Sequence, residues 1–235
     1  MIDPTPNAEP PSETPVAPIA PEVLAARLAA RLCHDFMSPA SGIVSGLDLL
    51  DDPAAKDMRA EAMALIASSA RKLIHILSFY RLAFGTVGAA EMFDTRELQS
   101  LATAMFAHVR PELDWAVSGD QLDGIAGQAL LNMVQIGAGC LAAGGLARVA
   151  VKHEAPWTAV IVDATGPRAR IWPEVLAGLR GQGPGEGLSG RWVQARFLHA
   201  LVTAAGGAIA AEASDGAVSL KAILPAADLT PHRAG

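Results

Sequence analysis

Cysteine is nearly missing from this 235-residue chain: Cys33 and Cys140 are the whole complement. Two thiols are too few for a disulfide-built scaffold and lack the spacing of a metal site, so the redox reading is cytosolic. Basic charge is also short. Lys and Arg number 18 against 24 Asp and Glu, for a net charge of -6. That balance gives no electrostatic ground for nucleic-acid binding, although local arginine clusters can still meet an acidic protein. No uninterrupted apolar run reaches membrane-spanning length, so no bilayer span is expected. Residues 1–21, rich in Pro and acid, lack the basic start and apolar core of a signal peptide and read as a disordered tail, with a second tail at 226–235. What the chain does have is apolar content of 51% and length for one large or two modest domains.

The most informative stretch is Cys33-His34-Asp35-Phe36-Met37-Ser38-Pro39. At 100° per residue, Leu24, Leu28, Leu32, Phe36, Ile43, Leu47 and Leu50 gather into one stripe of a helix, and His34 lies nearly opposite, beside Arg27, Arg31, Ser38, Ser41 and Ser45. An acid at the next position can orient and polarise an imidazole, and Pro39 can bend the helix locally. A solvent-facing, acid-flanked histidine on a rigid helix is placed to act as a nucleophile. The alternative is an ordinary surface histidine.

Asp51-Asp52-Pro53 makes a turn, and a second helix follows with Met58, Ala62, Leu65, Ile66, Ser69, Leu73, Ile76, Leu77, Tyr80 and Phe84 on one face. Residues 22–86 are therefore expected to form an antiparallel helical hairpin. A lone hairpin cannot bury both stripes, because each large side chain left wet forgoes ~1.5–3 kcal/mol. A second copy would complete a dimeric four-helix bundle with His34 outside; the alternative is packing against the rest of the same chain.

Gly85-Thr86-Val87-Gly88 reads as a linker to an α/β unit over 91–225. Asp94 and Glu97 signal the start of a helix running to His108 or Val109, ahead of Pro111. Strands are expected at 114–117, 147–152, 158–163, 208–213 and 218–224, with helices near 128–142, 173–178 and 191–205. The predicted class is α+β, the second unit a two-layer sandwich with helices on one face of a mostly antiparallel sheet.

His34, Asp35, Phe36, Ser38 and Pro39 match in order the H-box of two-component histidine kinases, and the second half resembles their ATP-binding domain of the Bergerat type. The match is degenerate. In Leu130-Leu131-Asn132-Met133-Val134-Gln135-Ile136-Gly137, Ile136 stands where the metal-binding asparagine is expected. Val162-Asp163-Ala164-Thr165-Gly166-Pro167 keeps the adenine-binding aspartate but has Thr165 for the first glycine. Gly183–Gly190 is glycine-rich enough for a phosphate lid, yet Glu186 in its middle would repel phosphate. A phosphoacceptor hairpin joined to such a domain resembles the ChpT-like histidine phosphotransferases of alphaproteobacteria, most tellingly over 26–50, 66–73, 106–115 and 166–179.

The resemblance implies a cytoplasmic phosphorelay intermediate. His34 would take a phosphoryl group from the receiver domain of a hybrid histidine kinase and pass it to receiver aspartates of response regulators. The chain itself would bind no cofactor and no ATP, with Mg2+ supplied by the receiver. Asp35 would hold the His34 ring in the tautomer that leaves the other nitrogen free, and a free imidazole is largely uncharged near neutral pH. Ser38 could donate a hydrogen bond to the transferring group, or simply cap or bend the helix at Pro39. Arg31 could offset the phosphoryl charge or merely solvate its face. Arg168 and Arg170 suit an acidic receiver rim, or are solvated loop charge. His75 lacks the following acid and proline, and His108, His153, His199 and His232 show no triad or metal-ligand spacing. Rival readings are an ATP-dependent kinase with a divergent site and a non-catalytic receiver-binding scaffold.

Overall fold

The computed structural model describes residues 19–88, 90–183 and 190–226. The two expected tails, apart from residues 19–21 and 226, and most of the glycine-rich lid lie outside them. Two long helices, α1 (Pro21–Asp51) and α2 (Arg59–Phe84), form the antiparallel hairpin. The connection is more built than a simple turn. Asp52 Oδ1 accepts from the Ala54 amide at 2.8 Å, Pro53 sits at the first position, and Pro53–Met58 form a 3-10 turn, so α2 begins at Arg59.

The helices meet closely where α1 carries glycine. A Cβ on Gly46 would sit 2.5 Å from Ile66 Cγ1 and 3.0 Å from the Ala62 carbonyl oxygen, and one on Gly42 would meet Ser69 Oγ. Gly46→Val is expected to lower stability by about 1–3 kcal/mol through overpacking, read as a lower urea midpoint.

The second unit begins with β1 (Met92–Asp94) and α3 (Thr95–Phe106), followed by β2 (Glu112–Ala116), β3 (Gln121–Asp123), α4 (Gly124–Cys140), β4 (Leu146–Glu154) and β5 (Trp157–Thr165). It ends with α5 (Pro173–Leu179), α6 (Gly190–Ala204), β6 (Ala208–Ser214) and β7 (Ala217–Pro225). Five strands form one sheet in the order β2-β4-β5-β7-β6, with only β2–β4 parallel, and β1 pairs with β3 in a separate ribbon. Those two three-residue strands are too short to show alternation and escape the sequence reading. Asp94 caps α3 as expected, accepting from the Arg96 amide at 2.7 Å, while Glu97 turns toward Arg81 of α2.

One sheet face carries the helices. Along β5, Thr158, Val160, Val162 and Ala164 are buried against them, so the intervening Asp163 lies on the other face, where it accepts a hydrogen bond from Ser219 at 2.6 Å. Period-two geometry thus turns the retained aspartate away from the helical layer.

The hairpin is not a free-standing arm. Ile76, Phe79, Tyr80 and Ala83 of α2 belong to the main core, and Leu32 and Phe36 of α1 pack against it. Two buried side chains of α4 cap the end of α2: Gln128 Nε2 donates to the carbonyls of Leu82 and Gly85, and Asn132 Nδ2 donates to that of Ala83. These are the carbonyls that a helix C-terminus leaves without intrahelical partners. Of the expected face of α2, Ala62, Ser69, Ile76 and Tyr80 are buried, while Met58, Leu65 and Leu77, like Leu47 of α1, stay exposed in the single chain. One reading needs correction: Phe79, absent from the expected face, is fully buried. Pro53–Phe84 is also long and apolar enough by composition to cross a bilayer, contrary to expectation. In the fold, one side of α2 is spent on α1, α3 and α4.

Candidate functional site

His34 projects from the middle of α1 with its side chain 87% exposed. Its Nδ1 lies 3.2 Å from Asp35 Oδ1, the contact expected of an orienting carboxylate. The other oxygen of Asp35 accepts from Tyr80 Oη at 2.6 Å and lies 3.5 Å from Arg31 Nε. Asp35 thus has one oxygen toward the imidazole and one held by other partners. Pro39, four residues on, has no amide to bond the Asp35 carbonyl, so the backbone hydrogen-bond ladder is open at this turn.

A groove of about 690 Å3 opens beside the imidazole, lined by Arg27, Arg31, His34, Asp35, Arg191 and Val193 among others. Arg31 crosses it, donating to the Gly190 carbonyl at the start of α6. Arg27 lies over the Trp192 ring, 5.5 Å from its centroid. Arg191 lies 4.4 Å from the Trp172 centroid and 3.6 Å from Glu174. Three guanidiniums therefore converge on the side of His34 that faces the second unit, a setting that favours an incoming dianion.

The sequence-predicted residues are partly gathered here. Arg31 is turned inward as a brace between α1 and α6. Ser38 is exposed one turn along the same face and does not line the groove. Arg170 stacks on Trp172 at 3.9 Å, and its amide donates to the Cys140 carbonyl, which brings it to the neighbourhood of Arg191. Arg168, exposed and at φ +62°, lines neither this groove nor the cavity behind it.

That cavity is lined by Gln135 and Ile136 of the helix that the resemblance aligns with the metal-binding one, and not by Asp163. It measures about 120 Å3 and is walled by Arg31, Gln135, Ile136, Cys140, Trp172 and Val175 among others. Ligand sites usually need ~300–1,000 Å3. Burial alone pushes the Cys140 thiol up to about 11. Asn132 spends its amide on Ala83 and Gln128 carbonyls while its Oδ1 is 3.3 Å from Gln194 Nε2, and Ile136 offers no ligand atom. Among the described residues, those that line this cavity do not fit magnesium-bound ATP.

Sequence reasoning missed Tyr80, Gln135, Gln194 and Arg191. Tyr80 is the sole tyrosine of the chain and was read only as an apolar face residue. Polar glutamines within the largely apolar helices α4 and α6 were the available signal for Gln135 and Gln194, and Arg191 carried none.

An exposed imidazole with a carboxylate behind it and arginines around it, on a hairpin joined to a helix-and-sheet unit, is an arrangement compatible with phosphotransfer through histidine. The family model for the histidine phosphotransferase C-terminal domain matches residues 95–217. The protein phosphotransferase ChpT of Brucella abortus (strain 2308) is 35% identical over 184 residues, covering 78% of this chain and 87% of that protein. A solved bacterial phosphotransferase structure, at 1.7 Å, superposes with a TM-score of 0.77 and 32% identity, covering 87% of this chain and 97% of that one. The chain belongs to the histidine phosphotransferase family and acts in a phosphorelay.

Proposed function

We propose that His34 is the phosphoacceptor. It takes a phosphoryl group from the aspartyl phosphate of a hybrid kinase's receiver domain and gives it to receiver aspartates of response regulators. The observation that carries this reading is the exposed imidazole, paired at Nδ1 with Asp35 and set in an arginine-lined groove.

The lone pair of Nε2 attacks phosphorus as the bond from phosphorus to the receiver's aspartyl oxygen breaks, and the carboxylate leaves with that electron pair. Nδ1 keeps its proton throughout, so the ring gains positive charge that Asp35 offsets. Arg27, Arg31 and Arg191 draw the acidic rim of the receiver and the phosphoryl oxygens toward the groove. Mg2+ belongs to the receiver; among the described residues no group of three or more His, Cys, Asp and Glu side chains is placed to hold a metal. Return of the phosphoryl group to a second receiver is the same step reversed, so Asp35 serves loading and unloading alike.

The second unit serves as scaffold and docking wall and does not bind ATP. Purified protein incubated with labelled ATP and Mg2+ is expected to acquire no label at His34, while a pre-phosphorylated receiver labels it. Self-labelling from ATP would overturn this part of the reading.

The protein works in the cytoplasm as a homodimer. On α1, Cys33, Met37, Ala40, Val44 and Leu47 recur at intervals of four and three residues, as do Met63, Ala67, Ala70, Ile74 and Leu77 on α2. Met37, Val44 and Ile74 are each more than half exposed in the single chain. Two such seams side by side match the inner surface of a four-helix bundle and support a twofold partner.

A further inference from the structure

Behind Asp35 runs a chain of hydrogen bonds that the transfer reaction as described leaves unused. Tyr80 is 5% exposed, and its ring is enclosed by Phe36 of α1 and by Phe79 and Phe84 of its own helix, with centroids 5.2–5.9 Å away. Within that apolar box its hydroxyl is engaged on both sides. It donates to Asp35 Oδ2 at 2.6 Å and accepts from Gln135 Nε2 at 3.0 Å. The side-chain oxygen of Gln135 in turn accepts from Gln194 Nε2 at 2.6 Å. Four helices, α1, α2, α4 and α6, contribute one link each.

Resting on the reading of His34 as phosphoacceptor, we propose that Tyr80 is a positioning residue for phosphoryl transfer, and that Gln135 and Gln194 extend its hold on Asp35 into the second unit. A carboxylate terminus rotates in a broad, roughly twofold well, so Asp35 without a second partner would spend part of its time turned from the ring. With Oδ2 held by Tyr80, Oδ1 stays at His34 Nδ1. The Nδ1–H tautomer is then the favoured one, and Nε2 presents its lone pair to phosphorus. Asp35 is in the same place when the ring becomes positively charged, which spares reorganisation during transfer.

The tyrosine is suited to this task because it stays a donor. Burial, and next the bond to Asp35, push its hydroxyl up to about 12, far above physiological pH. Gln135 fixes the direction of that donation: its amide occupies one side of the Tyr80 oxygen, leaving the proton for Asp35. A unit without a nucleotide site thereby acquires a part in the reaction, since its docked position is felt at His34 through the two glutamines.

Tyr80→Phe removes the hydroxyl and keeps the ring. In the full-length chain, with a pre-phosphorylated receiver as donor, the transfer rate at saturating receiver is expected to fall about tenfold or more, as for loss of a hydrogen bond to a charged group. The receiver concentration giving half-maximal rate should not change. Nitrogen-15 NMR of the His34 ring should show a smaller Nδ1–H fraction. Gln135→Glu, which touches neither Asp35 nor His34, replaces the donor with an acceptor that competes for the Tyr80 proton, and should reproduce both changes.

Wild-type rates in both variants would overturn the proposal, as would a slower rate with an unchanged tautomer, which is the mark of a merely structural tyrosine. Label persisting on His34→Gln protein would instead remove the phosphoacceptor reading itself.

Discussion

Replacing His34 by Gln is expected to abolish uptake of label from a phosphorylated receiver and, with it, all passage to a second receiver, while the protein keeps its fold. The size of the effect follows from the step. No other described side chain offers a lone pair in that groove: its remaining polar members are guanidiniums and one carboxylate already engaged by Tyr80. The stability change should be within about ±0.5 kcal/mol, because the ring is 87% exposed and packs against little. A scaffold that only held receivers would pass this test untouched in binding and show no transfer with either protein. The measurement is therefore paired: receiver affinity by calorimetry and label transfer on a gel, with His34→Gln separating the first from the second. Asp35→Asn gives a graded companion, since the amide keeps the shape and loses the charge that offsets the ring.

A second large effect is expected from charge placed on the outer seam of the hairpin. Val44→Glu combined with Ile74→Glu would put four carboxylates into the proposed twofold interface, where the single chain shows exposed aliphatic side chains. If the seam is the dimer interface as proposed, each aliphatic side chain lost from it forfeits ~1.5–3 kcal/mol and each buried charge adds its desolvation, so the protein should run as a monomer at micromolar concentration. Light scattering would report half the wild-type mass. The fold of each chain should survive, because the Val44 and Ile74 side chains point away from both the α1–α2 contact and the main core. Half the mass with a native circular-dichroism spectrum is the expected result. An unchanged mass would show that this seam is not where two copies meet.

Much of this was legible in the sequence, and the reasons it was or was not are physical. His34 was placed on the polar side of its helix because helical periodicity is local, and the order of the helices and of the five main-sheet strands in the second unit was legible for the same reason, while β1 and β3 were not. Which apolar face of α2 would be covered was not legible. From Ile76 onward that helix serves the hairpin and the main core together, so burial spreads to Phe79 and Ala83, beyond the width of a simple amphipathic stripe. Leu47 and Leu77 went the other way, onto the seam left open. The helix carrying Asn132 was aligned with a metal-binding helix through Ile136, and only packing shows Asn132 capping α2. Tyr80 illustrates the limit most clearly. A tyrosine on an apolar face declares its ring to a periodicity argument, whereas its hydroxyl depends on Asp35, 45 positions earlier, and Gln135, 55 positions later.

The capping of α2 by Gln128 and Asn132 carries a consequence for how such a protein could be assembled or reshuffled. Among the described residues, the carbonyls of Leu82, Ala83 and Gly85 find side-chain donors on α4. A hairpin transplanted onto an unrelated partner would arrive with those oxygens bare and with Ile76, Phe79 and Ala83 facing water. The boundary drawn at the glycine-flanked linker is thus a seam in the sequence without being a cut line in the molecule, and gene fusion at that point would have to carry both halves or rebuild the joint.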